Sequence, residues 1–123
     1  VQKIFLIGLA GLLGTLGRYG LAELISRRFG ASFPLGTLVV NVLGCFLAGS
    51  LFYLLQRETI SETLRAVVMI GFLGGFTTFS AYGLQTFNLL RDGQTGIALL
   101  NVLASNVCGF VMVWAGYSVA KYC

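Results

Sequence analysis

Three stretches of this chain carry no charged side chain: residues 29–56, 66–90 and 93–120. A fourth, 4–22, is interrupted only by Arg18. A helix that crosses a bilayer needs about 20 mostly apolar residues, so each run is long enough to span. Between them lie Arg27-Arg28, then Arg57-Glu58 to Glu62-Arg65, then Arg91-Asp92-Gly93. These are short polar connections of the kind that join neighbouring antiparallel helices. The pattern predicts an all-α membrane protein, one integral membrane domain over 1–123, with four transmembrane helices at about 4–26, 35–56, 65–90 and 96–119. The first run does not read as a signal peptide, because no small-residue cleavage site opens onto a soluble domain.

Composition closes off the main alternatives. Charged residues make up 10% of the chain, where a soluble domain carries roughly a quarter. There is no His, the commonest general base and metal ligand. The acids are only Glu23, Glu58, Glu62 and Asp92, and Cys45, Cys108 and Cys123 form no metal or redox spacing. An enzyme is therefore not expected. The net charge of +4 is scattered over separate turns and makes no nucleic-acid footprint.

Lys and Arg in the loops set orientation. With four spans, one face holds Lys3, Arg57, Arg65 and Lys121, and the other Arg27, Arg28 and Arg91. Such balance fits either a chain whose partners fix its orientation or one that inserts both ways and pairs antiparallel with itself. Four helices cannot easily enclose a polar path and also shield it from lipid, so association is expected. Gly8, Gly11, Gly14, Gly17 and Gly20 recur every third residue in the first span, a seam for close helix approach.

Polar side chains inside apolar spans must find partners or line a wet path. Thr37 and Asn41 share a face of the second span, with Gly44 beyond them. Asn101, Ser105 and Cys108 follow one line on the fourth, with Asn106 beside it. At the middle of the third lies Gly71-Phe72-Leu73-Gly74-Gly75-Phe76-Thr77-Thr78-Phe79-Ser80. Gly74-Gly75 tolerates unusual backbone angles, and the threonine hydroxyls can serve groups released by a break. A break there would expose carbonyls for a cation and amides for an anion. The competing reading is a packing kink whose threonines bond back to their own turn. Phe79 and Tyr82 share a face, and their ring edges are either core packing or weak anion contacts. Arg18 costs about 2.5–3.5 kcal/mol at mid-membrane, so it either snorkels to the interface or gathers anions in a vestibule.

Three segments together resemble the small fluoride channels called Fluc or CrcB: Gly11-Leu-Leu-Gly14-Thr-Leu-Gly-Arg18, Gly36-Thr37-Leu-Val-Val-Asn41 and the Gly71–Ser80 stretch. The likeness covers the whole chain in length, span count and motif order, and the third segment is the specific one. It implies a fluoride-selective channel giving passive export from the cytoplasm across the inner (plasma) membrane. It also implies an antiparallel dual-topology homodimer in the lipid bilayer with two pores. A structural sodium ion at the dimer centre would be held by backbone carbonyls of Gly74 and Thr77. By the same resemblance Asn41 turns its amide toward fluoride and Phe79 is the first of two pore aromatics. Ser80 and Thr37 belong to a hydroxyl track, Ser105 is a pore serine, and Arg18 stands near the entrance. Tyr82 occupies the place of a second phenylalanine, Ala81 that of a threonine, Gln85 that of a glutamate, and Asn101 that of an aromatic. Some relatives pair as heterodimers of divergent chains, whereas the balanced loop charge here favours a homodimer.

Two other readings compete. A proton-coupled small multidrug-type transporter, also dual-topology, needs an embedded carboxylate. The only acid inside a span is Glu23, and Arg27 stands four residues on, where an ion pair is the simpler account. An accessory subunit would use its polar residues for packing alone.

Overall fold

A backbone inside hydrocarbon must satisfy its own hydrogen bonds, which for an apolar run of this length means helix. A computed structural model describing residues 1–123 follows that rule. It contains α1 (Gln2–Phe29), α2 (Leu35–Leu54), α3 (Glu62–Ala66), α4 (Leu73–Phe76), α5 (Phe79–Arg91) and α6 (Thr95–Tyr122), with Val67–Phe72 wound as a π-helix between α3 and α4. Four spans result: α1, α2, the composite Glu62–Arg91, and α6. Their ends fall within three residues of those expected from the charge-free runs.

The ends are set by local chemistry. Gly30 follows α1 at φ 82° and Gly93 follows α5 at φ 80°, a left-handed conformation that glycine alone adopts freely. The Ser61 hydroxyl accepts the Leu64 amide at 3.1 Å and starts the third span. Arg65 then reaches back, donating from Nε to the Leu55 carbonyl at 2.8 Å and from Nη2 to that of Arg57 at 2.7 Å. It thereby occupies the exposed carbonyl end of α2.

Small residues bring the spans together. A Cβ on Gly49 would strike the Val113 carbonyl, and one on Gly116 the Phe46 carbonyl, so α2 and α6 lie backbone to backbone. Ser50 fastens that seam by donating to the Gly116 carbonyl at 3.0 Å. The glycine line of α1 serves the third span of the same chain. Gly14 lies against the Phe72 carbonyl, and Gly11 supplies the carbonyl against which Gly75 packs, whereas Gly8 and Gly20 face open space.

The third span is broken. Thr77 and Thr78 are extended, at φ −85°, ψ 156° and φ −148°, ψ 113°, and they separate α4 from α5. Only the Thr78 hydroxyl serves a group that the break frees, because the Leu73 carbonyl keeps its helical donor, the Thr77 amide. Thr77 Oγ1 donates back to the Leu73 carbonyl at 3.0 Å, and Thr78 Oγ1 accepts the Ala81 amide at 3.2 Å as the cap of α5. One expectation needs correcting. Gly74 and Gly75 do not supply the break: both lie within helical α4, and neither has a positive φ. Gly75 is there because α1 passes too close for a side chain.

Few residues are buried, Val40, Leu73, Phe76, Ala98 and Asn101 among them. Phe79, Phe110 and Trp114 are 82%, 73% and 71% exposed. A surface this apolar requires lipid or another chain against it.

Candidate functional site: a neutral cavity at the break

The break falls beside Asn41 of α2. Asn41 Nδ2 donates to the Thr78 carbonyl at 2.9 Å, and the Thr78 amide donates to Asn41 Oδ1 at 2.8 Å. This two-point clamp fixes the direction of the carboxamide, because reversing it would oppose two acceptors and two donors. One hydrogen of Nδ2 remains outside the clamp.

The same bonds release backbone carbonyls. The helical donor for the Gly74 carbonyl would be the Thr78 amide, which goes to Asn41 instead. The donor for the Thr77 carbonyl would be the Ala81 amide, which goes to the Thr78 hydroxyl. Gly75, between them, has its carbonyl engaged by Arg18 Nε at 3.1 Å. Arg18 lines neither cavity described below; it places a guanidinium at the carbonyl end of α4.

A cavity of about 440 Å³ opens at this point. Asn41, Gly74, Thr77, Phe79, Tyr82 and Ser105 all line it, so one space collects residues from α2, α4, the break, α5 and α6. No charged side chain lines it. Phe79 and Tyr82 stand with ring centroids 5.5 Å apart and planes at 60°. Ser80 is exposed at the start of α5, with its hydroxyl 3.4 Å from that of Thr78.

These features are found in a chain with close relatives. Residues 5–117 match the family described as CrcB-like protein, Camphor Resistance (CrcB). The chain belongs to the CrcB family. A protein of Geobacter sp. (strain M21) named fluoride-specific ion channel FluC is 45% identical over 98% of both chains. One of Opitutus terrae with the same name is 49% identical over 93% of this chain and 89% of its own. Another, from Nitratidesulfovibrio vulgaris (strain Miyazaki F), is 41% identical over 98% of each. The CrcB family is one of membrane channels and not of enzymes.

The remaining predicted residue, Thr37, lies elsewhere in this CrcB chain. With Gln85 it lines a second cavity of about 430 Å³ near the ends of α1 and α5. Two carboxylates line that cavity, and each is paired: Glu23 with Arg27 Nε at 3.2 Å and Asp92 with Arg91 Nε at 3.2 Å. The Glu23 pair is the one expected from its spacing. Gln85 Oε1 is a buried side-chain oxygen without a hydrogen-bond partner.

Several participants escaped sequence reasoning. Thr78 was visible only as half of a threonine pair, yet it makes both bonds of the clamp. Thr86 carries no signal of its own in the sequence; it accepts from Asn101 Nδ2 at 2.9 Å across α5 and α6. The line drawn through Asn101, Ser105 and Cys108 divides: Asn101 is 2% exposed, while Cys108 lies on the exposed surface. The polarity of Asn101 and Asn106 in an apolar span marks both in the sequence; their partners, Thr86 and the Tyr82 hydroxyl, are what it leaves out.

Proposed function

We propose that this CrcB chain is a fluoride-selective channel that lets the anion leave the cytoplasm passively. The observation that carries the reading is the break at Thr77-Thr78, which opens beside Asn41 into a cavity with polar groups but no formal charge. A ring of lysines or arginines would hold a small anion too tightly for conduction, which requires binding weak enough to release. Here the donors are neutral: the free N–H of Asn41, the hydroxyls of the track and the ring edges of Phe79 and Tyr82. Fluoride holds its water strongly, so a narrow path must replace that shell group by group. Ser105 lines the inner cavity, Thr37 the outer one, and Ser80 stands at the start of α5. The Arg18 guanidinium adds positive potential beside this route, near its entrance. The names of the close relatives support the choice of anion.

In this reading hydrogen fluoride enters cells from acid surroundings, dissociates in the cytoplasm and departs as the anion down its gradient through the inner membrane. Two antiparallel copies form a homodimer with two pores. The exposed apolar surface supports association of this kind. The Gly74 and Thr77 carbonyls would hold the structural sodium ion between the copies. Their fit to a hard monovalent cation rests on their diverted helical donors and on the open space at Gly74, where a Cβ would meet nothing within 4 Å. The cation would supply only charge and cross-linking; Asn41 Oδ1 and the Thr78 hydroxyl keep the carbonyls free by holding the Thr78 and Ala81 amides.

Efflux from proteoliposomes, followed with a fluoride electrode, tests the proposal. The purified chain is expected to pass fluoride and Asn41→Asp to pass at least about tenfold less, because the variant trades an N–H donor for a negative charge. An unaltered rate in Asn41→Asp would remove Asn41 from the pore, and no flux from the wild-type chain would leave an accessory role.

A further inference from the structure

Tyr82 lines the neutral cavity, and the bonding around its hydroxyl has a direction. Asn106 Nδ2 donates twice, to the Val102 carbonyl at 2.8 Å and to the Tyr82 hydroxyl oxygen at 3.2 Å. An amide nitrogen has two hydrogens and no accepting lone pair, and a carbonyl oxygen only accepts. Both Asn106 hydrogens are therefore spent, and the Tyr82 oxygen is the acceptor. Its own proton points away from Asn106 and is claimed by no other protein group. Tyr82 and Asn106 both line the cavity that Asn41 lines.

Ser105, on the same wall, is in the opposite state. The Tyr82 carbonyl accepts from Thr86 Oγ1 at 2.8 Å, so that hydroxyl has donated its proton. Thr86 then accepts from Asn101 Nδ2, which leaves Asn101 Oδ1 to accept from Ser105 Oγ across 3.4 Å. The chain of bonds runs one way from Ser105 to the backbone. At 3.4 Å its first link is long for an O–H···O bond, so the Ser105 proton is biased toward Asn101 and away from the cavity rather than held there.

The geometry points to the Tyr82 hydroxyl as an anion donor in its own right, alongside the free N–H of Asn41, with Asn106 as the positioning residue that aims it. This rests on the fluoride-channel reading and deepens it. Tyr82 offers more than the ring edge that a phenylalanine would. An O–H group donating to an anion is among the stronger hydrogen bonds. It favours fluoride over chloride because the smaller anion surrenders more hydration and needs the stronger replacement.

Fluoride and chloride efflux from proteoliposomes of wild type, Tyr82→Phe, Asn106→Leu, the double variant and Ser105→Ala test this, with Asn41→Asp alongside. Tyr82→Phe is expected to lower fluoride efflux about tenfold and to narrow the fluoride-to-chloride ratio. Asn106→Leu should lower it severalfold in wild type and not further in the Tyr82→Phe background, since no hydroxyl remains to be aimed. Ser105→Ala should lose less than Tyr82→Phe. The assignment is overturned by Tyr82→Phe staying within about twofold of wild type. It is also overturned if Asn106→Leu costs the same in both backgrounds, as a packing role would, or if Ser105→Ala is the more damaging. Should Asn41→Asp abolish flux while Tyr82→Phe does nothing, the channel reading stands and the hydroxyl role alone falls. A wild-type chain that passes no fluoride sinks both.

Discussion

Single side chains at the break act on backbone groups far away in sequence. Arg18 reaches the Gly75 carbonyl and Asn41 the Thr78 peptide, across separations of 57 and 37 residues. A hydrogen bond to a charged group contributes about 1.5–3 kcal/mol net. Arg18→Met keeps the aliphatic stem and loses the guanidinium, so it should destabilise the chain by about 2 kcal/mol. A thermal melt in detergent would check this, and an unchanged midpoint would mean the bond contributes nothing to stability. The types of these residues were legible in the sequence as polar groups where lipid should be. Their partners were not, because periodicity reports a helix face and not the carbonyl that a neighbouring helix presents to it. Arg18 shows the gap: its place in the first span was legible, but its partner, the Gly75 carbonyl at the end of α4, was not.

At the level of elements, the four spans were readable because charge-free runs and bilayer thickness leave little freedom. The position of the break was read correctly only to within the Gly74–Thr78 stretch. Two glycines look like a hinge, but here they lie in a helix that must pass close to α1. The two roles of glycine, conformational freedom and close approach, leave the same letters in a sequence. Substitution distinguishes the two. Gly75→Ala drives a methyl into the Gly11 carbonyl and should cost about 1–3 kcal/mol in thermal stability. Gly74→Ala meets nothing within 4 Å in this chain and should leave its own melt unchanged or slightly raised. Equal losses at the two positions would contradict the packing assigned to α1 and α4. Thr78→Ala removes the hydroxyl cap of α5 and should cost about 1 kcal/mol, with Thr78→Ser close to wild type. The π-helix at Val67–Phe72 left no mark in the composition; the structure gives its position, and we have no physical account of why it winds there.

For the whole molecule, the question is what covers the apolar surface and which way the chain faces. A single copy leaves Phe79, Phe110 and Trp114 largely uncovered. The proposed answer is a second copy in the opposite orientation, for which the loops must carry almost no directional bias. The helix ends put Lys3, Arg57, Arg65 and Lys121 at one face and Arg27, Arg28 and Arg91 at the other. Because orientation follows Lys and Arg in short loops, small changes in this balance should be decisive. Gln56→Lys with Thr59→Lys adds charge in the α2–α3 loop, away from both cavities, and should fix every copy in one orientation. Such a chain is expected to insert normally and yet pass no fluoride, since every pair it forms is parallel. Co-expression with a chain biased the other way, by Lys3→Gln, Lys121→Gln and Thr95→Lys, the last at the start of α6 and outside both cavities, should restore efflux. Neither chain should do so alone. If the singly biased chain conducts as well as wild type, antiparallel pairing is not what builds the pore, and the balanced charge of the loops has no bearing on function.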